Sequence, residues 1–428
     1  MLAVTLGLHG GDTWALGLLF VGVALFAAVG ALSHQHERAF SASLIYLGFG
    51  AAAAVAIQLL GIDWIDPLAD AAVVEHVTEV ALVVAVFATG LQLDRALRWS
   101  EWGTTRRLIV VAMPLTIAGV ALLGGWLLGL STGAALVLGA ALAPTDPVLA
   151  GDIGVGPPGD EHEHEPNFGL TSEAALNDGL AAPFLLAGLL VAAGGGRWGE
   201  WLASDVLYAL GLALPIGAAT GLAAAWSIKR LRDRDLLARQ FDGWHAIATA
   251  LVTYGAAQGL DANGLVAVFA AGLAFRRYER DHEVNASVHH GAEVVEKLLE
   301  LAVILLLGSM LTLDGLGAPG VEGWLLAVTL LVAVRPLACL IALAGSRLDA
   351  PQDRAFVSWF GVRGVGTLYY AAVAVGAGVL SPAEERVIMW TVVAGVLISI
   401  AVHGVTGGPA LRGLTRRRAR EPASSRAR

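Results

Sequence analysis

A handful of ionisable residues sits inside otherwise apolar sequence, and their surroundings suggest what they do. Asp146 lies in Ala143-Pro144-Thr145-Asp146-Pro147. Glu173 and Asp178 lie in Thr171-Ser172-Glu173-Ala174-Ala175-Leu176-Asn177-Asp178-Gly179, and Glu300, Arg335 and Arg363 lie in three later apolar runs. A charge at the centre of a membrane span costs roughly 2.5 to 3.5 kcal/mol on insertion scales, so such residues mark transport paths. Desolvation disfavours the ionised carboxylate, and its oxygens suit a hard cation, so a buried acid can hold either a proton or a metal ion. A transport path across the membrane is what this points to. The plainer readings are a proline kink with a capping Asp at 144–147 and two acids at a span end at 173–178. The second is weakened by the apolar run from Gly179 to Ala193.

Spacing separates the two acids of the second stretch. Asn177 follows Glu173 at i+4 and shares its helical face, whereas Asp178 falls about 140° further round. One carboxylate can thus be locked in an ion pair while the other faces a cavity. Pro144 and Pro147 bracket Thr145-Asp146, removing helical hydrogen bonds and favouring extended backbone before each ring. Phe360-Gly361-Val362-Arg363-Gly364-Val365-Gly366 sets one arginine among glycines, a second place where helix is expected to give way. Two interrupted spans in opposite halves of a chain, one acidic and one basic, point to an inverted-repeat secondary transporter.

The elements that carry these residues follow from composition. Of 428 residues, 56% are hydrophobic and 15% charged, with a mean hydropathy of +0.69, against about 25% charged in soluble domains. The chain is therefore expected to be an all-α integral membrane protein. Apolar runs predict about thirteen spans, near 13–32, 42–60, 76–93, 108–129, 132–150, 168–193, 204–228, 242–259, 261–275, 291–313, 321–343, 355–379 and 385–410. The first run has no Lys or Arg ahead of it, so it is read as a permanent span.

With thirteen spans, 22 of the 27 Lys and Arg residues fall on one side, the side of the C-terminus. Positive residues mark the cytoplasmic face, which gives an outside N-terminus, a cytoplasmic C-terminus and a plasma-membrane location. A net charge of −9 argues against a nucleic-acid partner. A single cysteine, Cys339, excludes an intrachain disulfide and reads as a small buried hydrophobe.

These residues resemble the monovalent cation/proton antiporters, in the electroneutral sodium/proton exchanger branch with NhaP-like members. Glu-x-x-x-Asn-Asp at Glu173, Asn177 and Asp178 is the strongest motif. Thr145-Asp146-Pro147, Gly361-Val362-Arg363-Gly364, the run from Glu300 to Gly308 and Arg335-Pro336 support it in order and spacing. The resemblance implies a thirteen-helix subunit with a dimerisation domain and a six-helix core in which two broken helices cross. It implies a membrane domain over 1–411, with core spans at about 76–193, 291–313 and 355–410. The scaffold would lie at about 13–60 and 204–275, with 321–343 linking and a short basic tail at 412–428.

By the same resemblance Asp178 alternately holds a proton and a cation, Asn177 marks the electroneutral branch, and Arg335 pairs with Glu173. Thr145 and Asp146 complete the Na+ shell, Glu300 is structural, and Asp146 and Arg363 offset the half-helix dipoles. The branch usually carries Gly-Glu-Ser where this chain has Ser172-Glu173-Ala174, so Ser172 or a water is expected to replace the missing hydroxyl. The third span, at Phe87-Ala88-Thr89-Gly90-Leu91, lacks an acid that some relatives carry.

The expected activity is one-for-one exchange of Na+ or Li+ against H+ by a homodimeric transporter. No enzymatic chemistry and no cofactor beyond the transported ions are expected. A potassium/proton antiporter shares every motif. A cation channel or sensor, and a hydrolase using Asp146 with Asp178, are the readings from other classes. Among side features, 160–165 (Asp-Glu-His-Glu-His-Glu) reads as a solvated loop or a pH- or metal-sensing patch. Glu75, His76 and Glu79 sit at an outer span entrance, Lys297 pairs with Glu293, and His403 is a packing residue.

Overall fold

The computed structural model describes residues 22–23, 26, 42–146, 155, 164–238, 242–278, 284–346, 348 and 350–418. Helices account for most of the described residues: α1 (Ala42–Leu60), α2 (Ala71–Gln92), α3 (Gly103–Leu127), α4 (Thr132–Leu142), α5 (Glu165–Ala192), α6 (Trp198–Arg232) and α7 (Asp242–Gln258). They continue with α8 (Gly264–Tyr278), α9 (Val284–Ser309), α10 (Leu313–Gly317), α11 (Gly320–Ala342), α12 (Pro351–Trp359), α13 (Val365–Gly376) and α14 (Pro382–Arg418). Seven of these helices are long and apolar enough to cross a membrane. The span expected at 13–32, most of the 160–165 loop and the side chains of the basic tail lie outside the described residues.

Both expected interruptions are present. Helix α4 stops at Leu142 and residues 144–146 continue without regular structure, because Pro144 cannot donate to the helical ladder and restrains Ala143. The second run splits into α12 and α13, with Phe360 to Gly364 unwound between them. A milder adjustment occurs in α3 and α11, where π-helical turns at Leu108–Ala112 and Leu330–Val334 directly precede Met113-Pro114 and Arg335-Pro336. Each proline removes one i→i−4 bond, and the ladder slips by a residue to absorb it. The same device in both halves is what an internal repeat would leave.

Packing divides the helices into two groups. Helices α3, α4, α5, α11, α12, α13 and α14 pack with one another, and α1, α2, α6, α7, α8 and α9 form a second set. The seam between them runs chiefly along α13 against α2 and α5 against α8. This division differs from the expected one. Helix α11 packs among the broken helices, where Arg335 meets Glu173, while α2 packs against α7, α8 and α9, and α9 against α1, α2 and α7. Within the second group backbones meet at glycine: a Cβ at Gly90 would lie 2.9 Å from the Phe269 carbonyl and 3.0 Å from Gly272 Cα. Close backbone approach at small residues is how helices associate in lipid, where burial of apolar surface supplies no net drive.

Candidate ion-binding site

Glu173, Asn177 and Asp178 project from the middle of α5, and each is 1% exposed. Glu173 receives a two-pronged ion pair from Arg335, with Nη1 to Oε1 at 2.5 Å and Nη2 to Oε2 at 2.7 Å. Two planar groups meeting in parallel form the strongest common ion pair. The pair is fully enclosed, so it neutralises itself where neither charge could stand alone.

The two chain breaks are tied to each other by charge and by backbone. The Asp146 N–H donates to the Val362 carbonyl at 2.8 Å. The Val365 N–H, at the first turn of α13, donates to Asp146 Oδ2 at 2.8 Å. In return Arg363 Nε donates to the Leu142 carbonyl at the end of α4, at 3.0 Å, and its Nη1 donates to the Gly361 carbonyl. The acid thus sits at a helix N-terminus and the base at a helix C-terminus, the signs each partial charge favours. Ser399 of α14 accepts the Arg363 N–H at 2.8 Å and holds the unwound strand in place.

Asn177 Nδ2 donates to Thr145 Oγ1 at 2.7 Å, joining α5 to the first break. Asp178 contrasts with Glu173: neither of its carboxylate oxygens has a hydrogen-bond partner, and Asn177 Oδ1 is also unmatched. The carboxylate lies against Gly366 of α13, where a Cβ would overlap it. Its own main-chain carbonyl accepts from the Tyr370 hydroxyl. An enclosed carboxylate without a partner is costly as a bare anion, so the arrangement calls for a proton or a cation. Thr145, Asp146, Asn177 and Asp178 offer oxygen donors of the kind a hard cation takes.

Two expected residues lie apart from this cluster. Ser172 Oγ donates to the Phe168 carbonyl and meets Thr105 Oγ1, both at 2.6 Å. That commits the hydroxyl elsewhere, because Ser172 leaves the helix on a different face from Asp178. Glu300, on α9, accepts from Ser43 Oγ of α1 at 3.4 Å.

The side features resolve simply. Lys297 Nζ pairs with Glu293 at 2.7 Å, and the ring nitrogens of His403 lie 3.0 Å from the Ser399 and Trp359 carbonyls. Glu165 pairs with Arg95 and accepts from Thr104, Glu79 accepts from the Tyr254 hydroxyl, and Cys339 is buried.

Sequence reasoning overlooked Gly366, Tyr370 and Ser399. The glycine cluster around Arg363 already contained Gly366, so a signal for it existed. Tyr370 and Ser399 act through partners 192 and 36 positions away, which no local spacing discloses.

Residues 21–413 match the family model of the sodium/hydrogen exchanger, transmembrane. The chain is 28% identical over 355 residues to Na(+)/H(+) antiporter 2 of Zygosaccharomyces rouxii, covering 76% of this chain and 42% of that protein. It is 26% identical over 269 residues to the K(+)/H(+) antiporter NhaP2 of Shewanella sp. strain MR-4, covering 63% of this chain and 45% of that one. The chain thus spans less than half the length of these curated relatives. In fold it matches the sodium proton antiporter MjNhaP1 of Methanocaldococcus jannaschii at pH 8. The TM-score is 0.69 at 16% identity, over 90% of this chain and 99% of that one.

Proposed function

The chain belongs to the sodium/hydrogen exchanger family, and on that premise we propose that it exchanges a monovalent cation for a proton by competition at Asp178. The observation that carries the reading is the contrast between two buried acids on one helix. Glu173 is locked onto Arg335, while Asp178 has no partner for either oxygen. The first pair keeps zero net charge throughout, and only the second site changes occupant.

Either a proton or a cation neutralises Asp178, and binding one expels the other. Thr145, Asp146 and Asn177 complete the cation's oxygen shell. Because the two loaded forms carry the same charge, one cation crosses for one proton and no net charge moves. Na+ or Li+ is the proposed cation, in keeping with the name of the Zygosaccharomyces rouxii relative, and the Shewanella relative makes K+ the alternative to test. The cation-free, unprotonated site is the form that burial penalises most, which discourages empty crossing and hence leak. The transporter is proposed to work as a homodimer in the plasma membrane with its C-terminus in the cytoplasm. Resemblance and the distribution of arginines support those assignments.

Reconstitution tests the reading. A pH gradient imposed across proteoliposomes should collapse on adding Na+ or Li+, equally with the membrane potential free or clamped, and Asp178→Asn should abolish the response. A response to K+ alone would keep the mechanism and change the substrate. Cation-evoked current, or undiminished exchange in the variant, would refute it.

A further inference from the structure

The helix that carries Asp178 contains a proline, Pro183, which has no N–H to give the carbonyl four residues back. That carbonyl belongs to Gly179, the neighbour of Asp178. It accepts instead from Asn263 Nδ2 at 2.8 Å, and Asn263 precedes α8, on the other side of the seam. Asn263 is itself held firmly. Its Oδ1 accepts from the Val266 N–H at 3.0 Å, its N–H donates to the Ala209 carbonyl at 3.0 Å, and its carbonyl accepts from the Ala267 N–H at 3.0 Å. The approach is close, since a Cβ at Gly179 would lie 3.0 Å from Val266 N. A second bond spans the two groups nearby, where Trp201 Nε1 of α6 donates to the Pro183 carbonyl at 2.9 Å.

We propose that Asn263 is a positioning residue: it latches the ion-binding helix to the other helix group through the carbonyl that Pro183 frees, in one access state and not in the other. The inference rests on the transport reading given above. For Asp178 to be reached from two faces in turn, the group holding α5 must shift against the group holding α8. A bond of 2.8 Å does not survive a relative displacement of about 1 Å. The latch therefore biases the access equilibrium by roughly the worth of one hydrogen bond, about fivefold. The arginine distribution places this end of the seam outside.

Asn263→Ser isolates the latch, because serine can still cap α8 but is too short to reach Gly179. Cation dependence is measured in right-side-out and inside-out vesicles. A shifted access equilibrium moves the apparent KM for the cation in opposite directions at the two faces, by about fivefold, at unchanged melting temperature. Pro183→Ala, which restores a helical N–H to Gly179, should shift both values in the same sense as Asn263→Ser. Values that stay unchanged, or that rise together at both faces, would overturn the latch.

If the wild type shows no cation-coupled flux, the transport reading fails by itself, and amide exchange of the purified protein then decides on the latch. Two exchanging populations at the start of α8, redistributed by Asn263→Ser, would support it. A single population that is the same in both proteins would overturn it.

Discussion

Asp178 and Glu173 occupy one helix at equal burial and have opposite fates, and the difference is Arg335. Removing that arginine leaves an uncompensated buried carboxylate, a loss of about 3 to 5 kcal/mol. Arg335→Met is therefore expected to lower the melting temperature sharply, whereas Glu173→Leu combined with Arg335→Met should recover most of the fold, as read by thermal unfolding in detergent. Recovery that fails in the double variant would show that the pair does more than neutralise itself. Asp178 makes no such contribution, and Asp178→Asn is expected to fold normally while losing exchange. At this scale the sequence disclosed the essential contrast. The i+4 and i+5 spacings put Asn177 and Asp178 on different faces relative to Glu173, and the family motif supplied Arg335. The expectation that Ser172 or a water replaces the missing hydroxyl did not anticipate Thr105, which meets Ser172 from a helix that no spacing connects to it.

At the scale of elements, the two breaks work by lending each other charge. Asp146 meets the first turn of α13 and Arg363 meets the last carbonyls of α4. Asp146→Asn keeps the shape and removes the charge. It should cost about 1 to 2 kcal/mol from the helix-terminus interaction and weaken cation affinity, with the two effects separable by unfolding and by the apparent KM. Gly366 is a packing constraint on the same junction. Any side chain there presses on the Asp178 carboxylate, so Gly366→Ala should lower turnover at least tenfold while leaving expression and secondary structure intact. The breaks were legible from Pro144, Pro147 and the glycines around Arg363, because loss of helix is decided locally. Their crossing was expected only through the family resemblance, because Asp146 and Val365 are 219 positions apart and no local spacing links them.

For the whole molecule, two helix groups meet along a seam and the ion site lies on one side of it. Most spans were readable from hydropathy, and α1 runs over the residues the sequence assigned to it. The grouping was not readable, since helices that are apolar all round do not announce their partners. Placing α2 and α9 required contacts such as Gly90 with Gly272 and Gly308 with Gly50. Competition at one site fixes the sign of the pH response. As pH falls, protons occupy Asp178 more fully and the apparent KM for the cation should rise, approaching tenfold per pH unit, with the maximal rate at saturating cation unaffected by this competition. A maximal rate that falls while KM stays constant would indicate separate sites for the two ions.

The claim that one carboxylate serves both ions is met most directly by proton release. Purified protein in weakly buffered solution receives a pulse of NaCl, then of LiCl, at a pH where Asp178 is largely protonated. The account predicts release of close to one proton per subunit on cation binding, and none from Asp178→Asn. Cation binding that releases no proton, or undiminished release from the variant, would contradict it.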